Sequence, residues 1–186
     1  MKRTATKKPV TKRTAATKKP ATKKRTTVKK PATAKKHATK KSTKVLKVEK
    51  DFKDVVTFLK GKDISFRFYE NKQEKDYEDD LVNMLRFGLK KHNTVYQKTS
   101  PSGIIDILIN NNIGIELKLY KGSKQVFDRL YRQFITYYPE PCKKLIGLII
   151  NTGRKENSVI RNEILDLLSS IKKPKKKDYK IIVKKV

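Results

Sequence analysis

The stretch from Ile104 to Tyr120, IIDILINNNIGIELKLY, constrains the fold more than any other part of the chain. Two apolar runs flank Asn110-Asn111-Asn112. Asparagine accepts the left-handed backbone that tight turns require, so the pattern predicts a β-hairpin. A three-residue loop that pairs Ile109 with Ile113 puts Asp106 directly opposite Glu116. Opposed side chains lie roughly 4.5–5.5 Å apart, and two like charges there are destabilising. Side chains alternate faces along a strand, so Glu116 and Lys118 share a face beside Asp106. Two carboxylates driven together make sense around a hard cation such as Mg²⁺, which takes oxygen ligands. A lysine one pleat along can then orient or activate an attacking water. The bland alternative is a strand edge carrying ordinary solvated charges.

The charge of the chain points to polyanions. Its formal net charge is +30, and residues 1–44 hold 18 Lys and Arg without one acid. Residues 45–186 keep 30 basic against 18 acidic residues, or +12, so both parts are basic. Lys-Lys recurs at 7–8, 18–19, 29–30 and 40–41, and Pro9, Pro20 and Pro31 follow the first three pairs. An eleven-residue period can mark a right-handed coiled coil, but that needs apolar stripes rather than prolines. Lys, Thr, Ala and Pro bury too little surface to offset ordering entropy, so residues 1–44 are expected to be a disordered tail. Its composition is similar to that of linker-histone tails. Such a tail suits non-specific binding to nucleic-acid phosphates, and it also suits solubility or localisation. A single cysteine, Cys142, excludes an internal disulfide framework and fits a reducing compartment. No apolar run reaches the roughly 20 residues of a membrane span. The expectation is an intracellular protein associated with DNA, with no membrane partner and a homodimer as an admissible assembly.

A domain over 45–186 reads as alternating helices and strands. Val48, Phe52, Val55, Val56 and Leu59 share one helical face that Gly61 closes, and Ile64 to Tyr69 reads as a strand or extended approach. A helix follows from about Glu74 to Lys91, with Tyr77, Leu81, Met84, Leu85 and Gly88 inward. Thr94 to Lys98 is a strand, and a turn over Thr99 to Gly103 leads into the hairpin. Next comes a helix of about sixteen residues from Gly122-Ser123, with Val126, Leu130, Phe134 and Tyr137 as its apolar face. Lys144 to Asn151 is a continuous apolar run, as expected of a strand covered on both faces. A helix over Asn157 to Ile171 and a strand over Tyr179 to Val183 complete the chain.

This order, together with Asp106 and the Glu116-Leu117-Lys118 triplet, resembles the PD-(D/E)xK nuclease superfamily over roughly residues 74–151. Ile105 stands where that family carries proline. The resemblance implies an α/β fold: a restriction-endonuclease-like mixed sheet flanked by helices, with core order α-β-β-β-α-β and an added helix and strand. It implies a metal-dependent nuclease acting on DNA, with Mg²⁺, or Mn²⁺ in its place. Asp106, Glu116 and the Leu117 carbonyl would hold the metal with help from Glu78, for which Glu74 is the fallback. An acid near a helix N-terminus is also favoured by the helix dipole alone. Gln133 and Tyr137, in a Gln-x-x-x-Tyr pattern, are similar to the RecB-like exonuclease branch. The catalytic set is then Asp106, Glu116, Lys118 and Gln133, and Lys98, Arg129, Arg132 and Tyr137 are the expected nucleic-acid contacts. The rival expectation is a non-catalytic packaging protein built on an inactive nuclease fold.

Overall fold

The structure, a computed structural model, describes residues 34–62 and 64–186. Residues 1–33, most of the expected tail, lie outside the described residues. Helix α1 (Ala34–Lys60) begins before the boundary expected at Val45, so residues 34–44 are helical where disorder was expected. The repeat explains this. Proline follows each of the first three Lys-Lys pairs, but Ser42 follows Lys40-Lys41, and nothing there breaks the helix. The C-terminal half of α1 buries Val55 and Leu59, with Phe52, Val56 and Phe58 packed beside them. At its end the Gly61 N–H donates to the carbonyls of Thr57 at 3.1 Å and Phe58 at 2.9 Å.

Ile64 to Tyr69, read as a strand or extended approach, has no regular secondary structure and joins no sheet, and only Ile64 and Phe66 of that run are buried. Helix α2 (Glu74–Gly88) follows, ending three residues before the expected Lys91. It buries Tyr77, Glu78, Leu81, Val82 and Leu85. The Asp76 carboxylate caps its start by accepting the Gln73 N–H at 2.8 Å.

Five strands form one open mixed sheet in sequential order: β1 (Thr94–Ser100), β2 (Gly103–Ile109), β3 (Ile113–Tyr120), β4 (Lys144–Asn151) and β5 (Tyr179–Lys185). β1 pairs antiparallel with β2, and β2 with β3, whereas β3, β4 and β5 are parallel. Helices α3 (Gln125–Tyr137) and α4 (Asn157–Ser169) supply the two crossovers that parallel neighbours require. The described chain is thus α/β, with four helices and five strands. Helices α1 and α2 cover one face over Ile115, Leu117, Ile146 and Ile182, and α3 and α4 cover the other over Leu145, Ile149 and Ile181. Every residue of β3 and β4 is buried, as their continuous apolar runs require. Helix α3 is shorter than expected and turns Phe127 rather than Val126 fully into the core. Among the described residues no helix is long and apolar enough to cross a membrane.

Gly147 sets how closely α3 approaches β4. A Cβ there would lie 2.8 Å from Leu130 Cδ2 on α3 and 2.9 Å from Ile181 Cδ1 on β5. Overpacking of this kind costs about 1–3 kcal/mol, so Gly147→Ala should lower the thermal midpoint by several degrees. A midpoint equal to wild type in a calorimetric scan would mean that α3 does not sit this closely on β4.

Candidate active site

The site begins where the hairpin stops being a hairpin. Asn110 and Asn111 take left-handed φ values of 50° and 53°, and the Asn112 N–H closes the turn on the Ile109 carbonyl at 3.1 Å. The expected register follows: Ile109 pairs with Ile113, Leu108 with Gly114 and Ile107 with Ile115. One residue further the backbone ladder ends. Asp106 and Glu116, expected as a directly opposed ladder pair, lie just beyond the split. The Leu117 N–H donates to Asp106 Oδ2 at 2.9 Å instead of to a β2 carbonyl. The Leu119 N–H, next on the same edge, donates to Glu74 Oε2 at 3.0 Å, from the first turn of α2. β1 breaks at the same level. Its register with β2 skips the Gln97–Asp106 pair, and Gln97 takes a φ of 45°.

Lys118 fills the opening, although only 1% of the residue is exposed. Its ammonium donates to the Leu117 carbonyl at 2.6 Å, to Glu74 Oε1 at 3.2 Å and to Asp106 Oδ2 at 3.2 Å. Glu116 Oε2 lies 3.8 Å from it, too far for a hydrogen bond. Glu116 is wholly buried, and neither of its carboxylate oxygens has a hydrogen-bond partner. Burial, and then the Asp106 charge, push its pKa well above the ordinary 4.5, with Lys118 opposing them. Burial and Asp106 likewise raise Glu78. Burial alone would lower the Lys118 pKa, but Asp106, Glu116 and Glu74 outweigh it and raise it, so the ammonium stays charged.

The two acids considered on α2 lie one turn apart and serve different neighbours. Glu78, the expected metal ligand, is buried and accepts long hydrogen bonds from Tyr96 Oη at 3.4 Å and Gln97 Nε2 at 3.5 Å. Glu74, the fallback, is the one that touches Lys118. Arg129 marks the rim, with a guanidinium nitrogen 3.7 Å from Glu74 Oε1 and a side chain 64% exposed. Lys98 and Arg132 are exposed on β1 and α3, free to meet a polyanion. Tyr137 is placed otherwise than expected of a nucleic-acid contact: it is buried, and its hydroxyl donates to the Ile104 carbonyl at 2.7 Å. It seats α3 on the start of β2, where Gly103 has a φ of 128° and a Cβ would stand 3.1 Å from the Tyr137 hydroxyl. The Tyr137 pKa is raised by burial and then by Glu116, so α3 faces the acids from this side. Gln133 is half-buried, with Oε1 lacking a partner. Tyr96 and Gln97 are site neighbours that the sequence did not single out, and nothing in its pattern signals the irregular Gln97 backbone.

The donors Asp106, Glu116, Glu74, Glu78 and the Leu117 carbonyl are all oxygens, the chemistry a hard cation selects. The unpartnered Glu116 carboxylate fits such a cation. With the Lys118 ammonium among them, however, no three His, Cys, Asp or Glu side chains of the described residues converge as a ready-made metal centre. Comparisons with protein-family models, with curated proteins and with solved structures find no match. The reading of the site therefore rests on its own residues.

Replacing Glu116 with Gln keeps its shape and removes a buried carboxyl whose ionisation the fold opposes. The metal-free variant should be more stable than wild type by about 1–3 kcal/mol near neutral pH. The sign follows from linkage. Below pH 4.5 Glu116 is protonated whether folded or unfolded, and the two proteins should match. As pH rises, the unfolded carboxyl ionises first, so wild type loses stability and the gap opens. Urea unfolding in EDTA across this range checks it. A gap that closes with rising pH would contradict the buried, raised carboxyl.

Proposed function

We propose that this chain is a metal-dependent nuclease that hydrolyses DNA phosphodiester bonds, on a restriction-endonuclease-like core of the PD-(D/E)xK kind. The observation that carries the reading is the buried, unpartnered Glu116 carboxylate, set beside Asp106 and served by one ammonium. The element order supports it, since α2-β1-β2-β3-α3-β4 follows α-β-β-β-α-β, with α4 and β5 added and α1 before it. Asp106, Glu116 and the Leu117 carbonyl would hold Mg²⁺ or Mn²⁺, with Glu78 or Glu74 completing the set from α2. Bound there, the cation would polarise the scissile phosphate and make a water acidic enough to attack near neutral pH.

The chain's own residues do the rest. Lys118 donates to Asp106, Glu74 and the Leu117 carbonyl. Once a cation took that carbonyl, the freed N–H would hold the attacking water, and the ammonium would counter the charge that grows on the phosphate oxygens. The water gives up a proton to solvent as its oxygen bonds to phosphorus, the ester P–O bond breaks, and the departing oxygen takes up a proton from solvent. Arg129, Lys98 and Arg132 hold the flanking backbone, and the basic N-terminal segment adds salt-sensitive attraction along it.

A second reading is a packaging protein on an inactive nuclease fold. The bond from Lys118 to the Leu117 carbonyl favours it, because an ammonium that permanently takes that oxygen does the structural work of a metal.

Cleavage assays separate the two. Asp106→Asn and Lys118→Ala should each lower Mg²⁺-dependent cleavage by at least about 100-fold. DNA affinity should survive in both, and should tighten for Asp106→Asn as repulsion of phosphate falls. Wild type inert on supercoiled, linear, single-stranded and four-way-junction DNA, with Mg²⁺ or Mn²⁺, would favour packaging. Removing residues 1–33 should flatten the dependence of affinity on salt, by about 0.9 in the log–log slope for each phosphate that the segment neutralises. An unchanged slope would remove that segment from the interface.

A further inference from the structure

A cavity of about 530 Å³ opens where α1 meets the segments that lead into β4 and β5. That volume lies in the range of small-molecule sites. The cavity is separate from the candidate active site. Strand pairing sets Lys144 beside Ile113 and Lys118 beside Ile149. Five residues of β4, about 16 Å, therefore separate the cavity's Lys144 from the level of Lys118.

Its charged lining divides into a spent group and an open one. The cavity's two acids, Glu49 and Asp178, both pair with the buried Lys144. Lys143 pairs with Glu140, three residues before it. Lys44, Lys175 and Lys177 complete the cationic lining. These three are exposed and form no ion pair among the described residues, and residues 1–33 hold no acid that could supply one. The lining therefore keeps a net charge of +3, five lysines against two acids.

The wall is held in place. The Asp178 N–H donates to the Lys175 carbonyl at 2.7 Å, closing a turn, and the Lys144 ammonium donates to the Lys177 carbonyl at 3.1 Å. Val45, Val48 and Tyr138 supply the apolar lining. Val45 continues the helical face of Val48 and Phe52, yet it is 57% exposed. The Tyr138 hydroxyl donates to Asp178 Oδ2 at 3.0 Å, which fixes the ring.

We propose that this cavity binds a free nucleoside di- or triphosphate, with its phosphates on Lys44, Lys175 and Lys177 and its base against Val45, Val48 and Tyr138. Size selects a small molecule over a polymer. Charge selects phosphates, because each terminal phosphate carries about −1.5 to −2 and needs more than one cation. The apolar lining selects an organic body over an inorganic anion, and a flat base packs well on an aromatic ring. This goes beyond the nuclease reading and needs neither DNA nor a catalytic metal.

Isothermal titration of the full chain in EDTA, at about 0.15 M salt to screen loose attraction, tests it with ADP, adenosine and inorganic pyrophosphate. ADP should bind, and the other two should each bind at least about 10-fold more weakly, since each carries only half of the recognised chemistry. Lys44→Ala/Lys175→Ala/Lys177→Ala should weaken ADP at least about 10-fold, because charge-assisted hydrogen bonds are lost. Its thermal midpoint should match wild type, as all three side chains are exposed. Lys53→Ala/Lys90→Ala/Lys91→Ala removes the same charge from exposed positions outside the cavity and should leave ADP affinity unchanged. No binding of ADP, or equal losses in the two triple variants, overturns the proposal. Pyrophosphate binding as tightly as ADP also overturns it, because charge alone would then be recognised. So does a 5′-phosphorylated oligonucleotide that depends on Lys44, Lys175 and Lys177 while ADP does not, since the cavity would then anchor a strand. Protein that binds ADP here but cleaves no DNA would sink the nuclease reading and leave this site standing.

Discussion

One ammonium holds the centre of this molecule, and it is outnumbered. Lys118 stands within 3.2 Å of Glu74 and Asp106 and 3.8 Å of Glu116, and the Asp106 charge also reaches Glu78. A chain with a surplus of 30 positive charges has thus gathered an excess of acid in one buried place. Like charges about 4 Å apart repel by about 4 kcal/mol even at an effective dielectric constant of 20. A protein can answer such a deficit with a proton or with a cation. Without a cation, burial and the Asp106 charge favour the protonated form of Glu116 and raise its pKa.

The split between β2 and β3 creates the room and also the need. Beyond Ile107 and Ile115 the N–H groups of Leu117 and Leu119 still point at the place where β2 would have continued. A buried N–H without a partner is costly. Asp106 and Glu74 therefore act as side-chain substitutes for missing strand carbonyls, and this function fixes their carboxylates at one end. Glu74 keeps its other oxygen, Oε1, on Lys118, whereas Asp106 meets both groups with Oδ2. The acids are positioned by the backbone of β3, which is buried along its whole length between two covered faces, so the geometry is as rigid as the sheet.

That much was half legible in the sequence. The Asn110-Asn111-Asn112 turn fixed the register, because asparagine tolerates the two left-handed residues the turn contains. Register arithmetic then brought Asp106, Glu116 and Lys118 together. It could not show that the ladder ends there, because it assumes every backbone group pairs with backbone and takes no account of a carboxylate competing for the Leu117 N–H. The positive φ of Gln97 was hidden for a similar reason, since glutamine carries no preference for it. On α2 the helical period put Glu78 inward with Leu81 and Val82, and Glu78 is indeed buried. Reach rather than period decides that Glu74, closer to the helix start, is the acid that meets Lys118. The early start of α1 lay in plain sight as the one Lys-Lys pair of the eleven-residue repeat without its proline.

A second buried lysine shows why the imbalance at Lys118 carries meaning. Lys144, at the start of β4, is nearly as buried and donates to Asp178 Oδ1 at 2.9 Å and to the Lys177 carbonyl at 3.1 Å. Asp178 also accepts the Tyr138 hydroxyl at 3.0 Å, and the half-exposed Glu49 approaches Lys144 from α1 at 2.6 Å. Burial would raise the Asp178 pKa, but the Lys144 and Tyr138 hydrogen bonds outweigh it and the pKa is lowered. The carboxylate there stays ionised and fully partnered, and the pair ties β4 to the segment before β5. Around Lys118 the same residue types give the opposite result: a carboxyl forced upward, with two oxygens unpartnered. A fold needs ion pairs of the first kind only to close itself. The second kind lowers stability, and a protein that keeps it has left charge uncompensated at the spot where a ligand can compensate it.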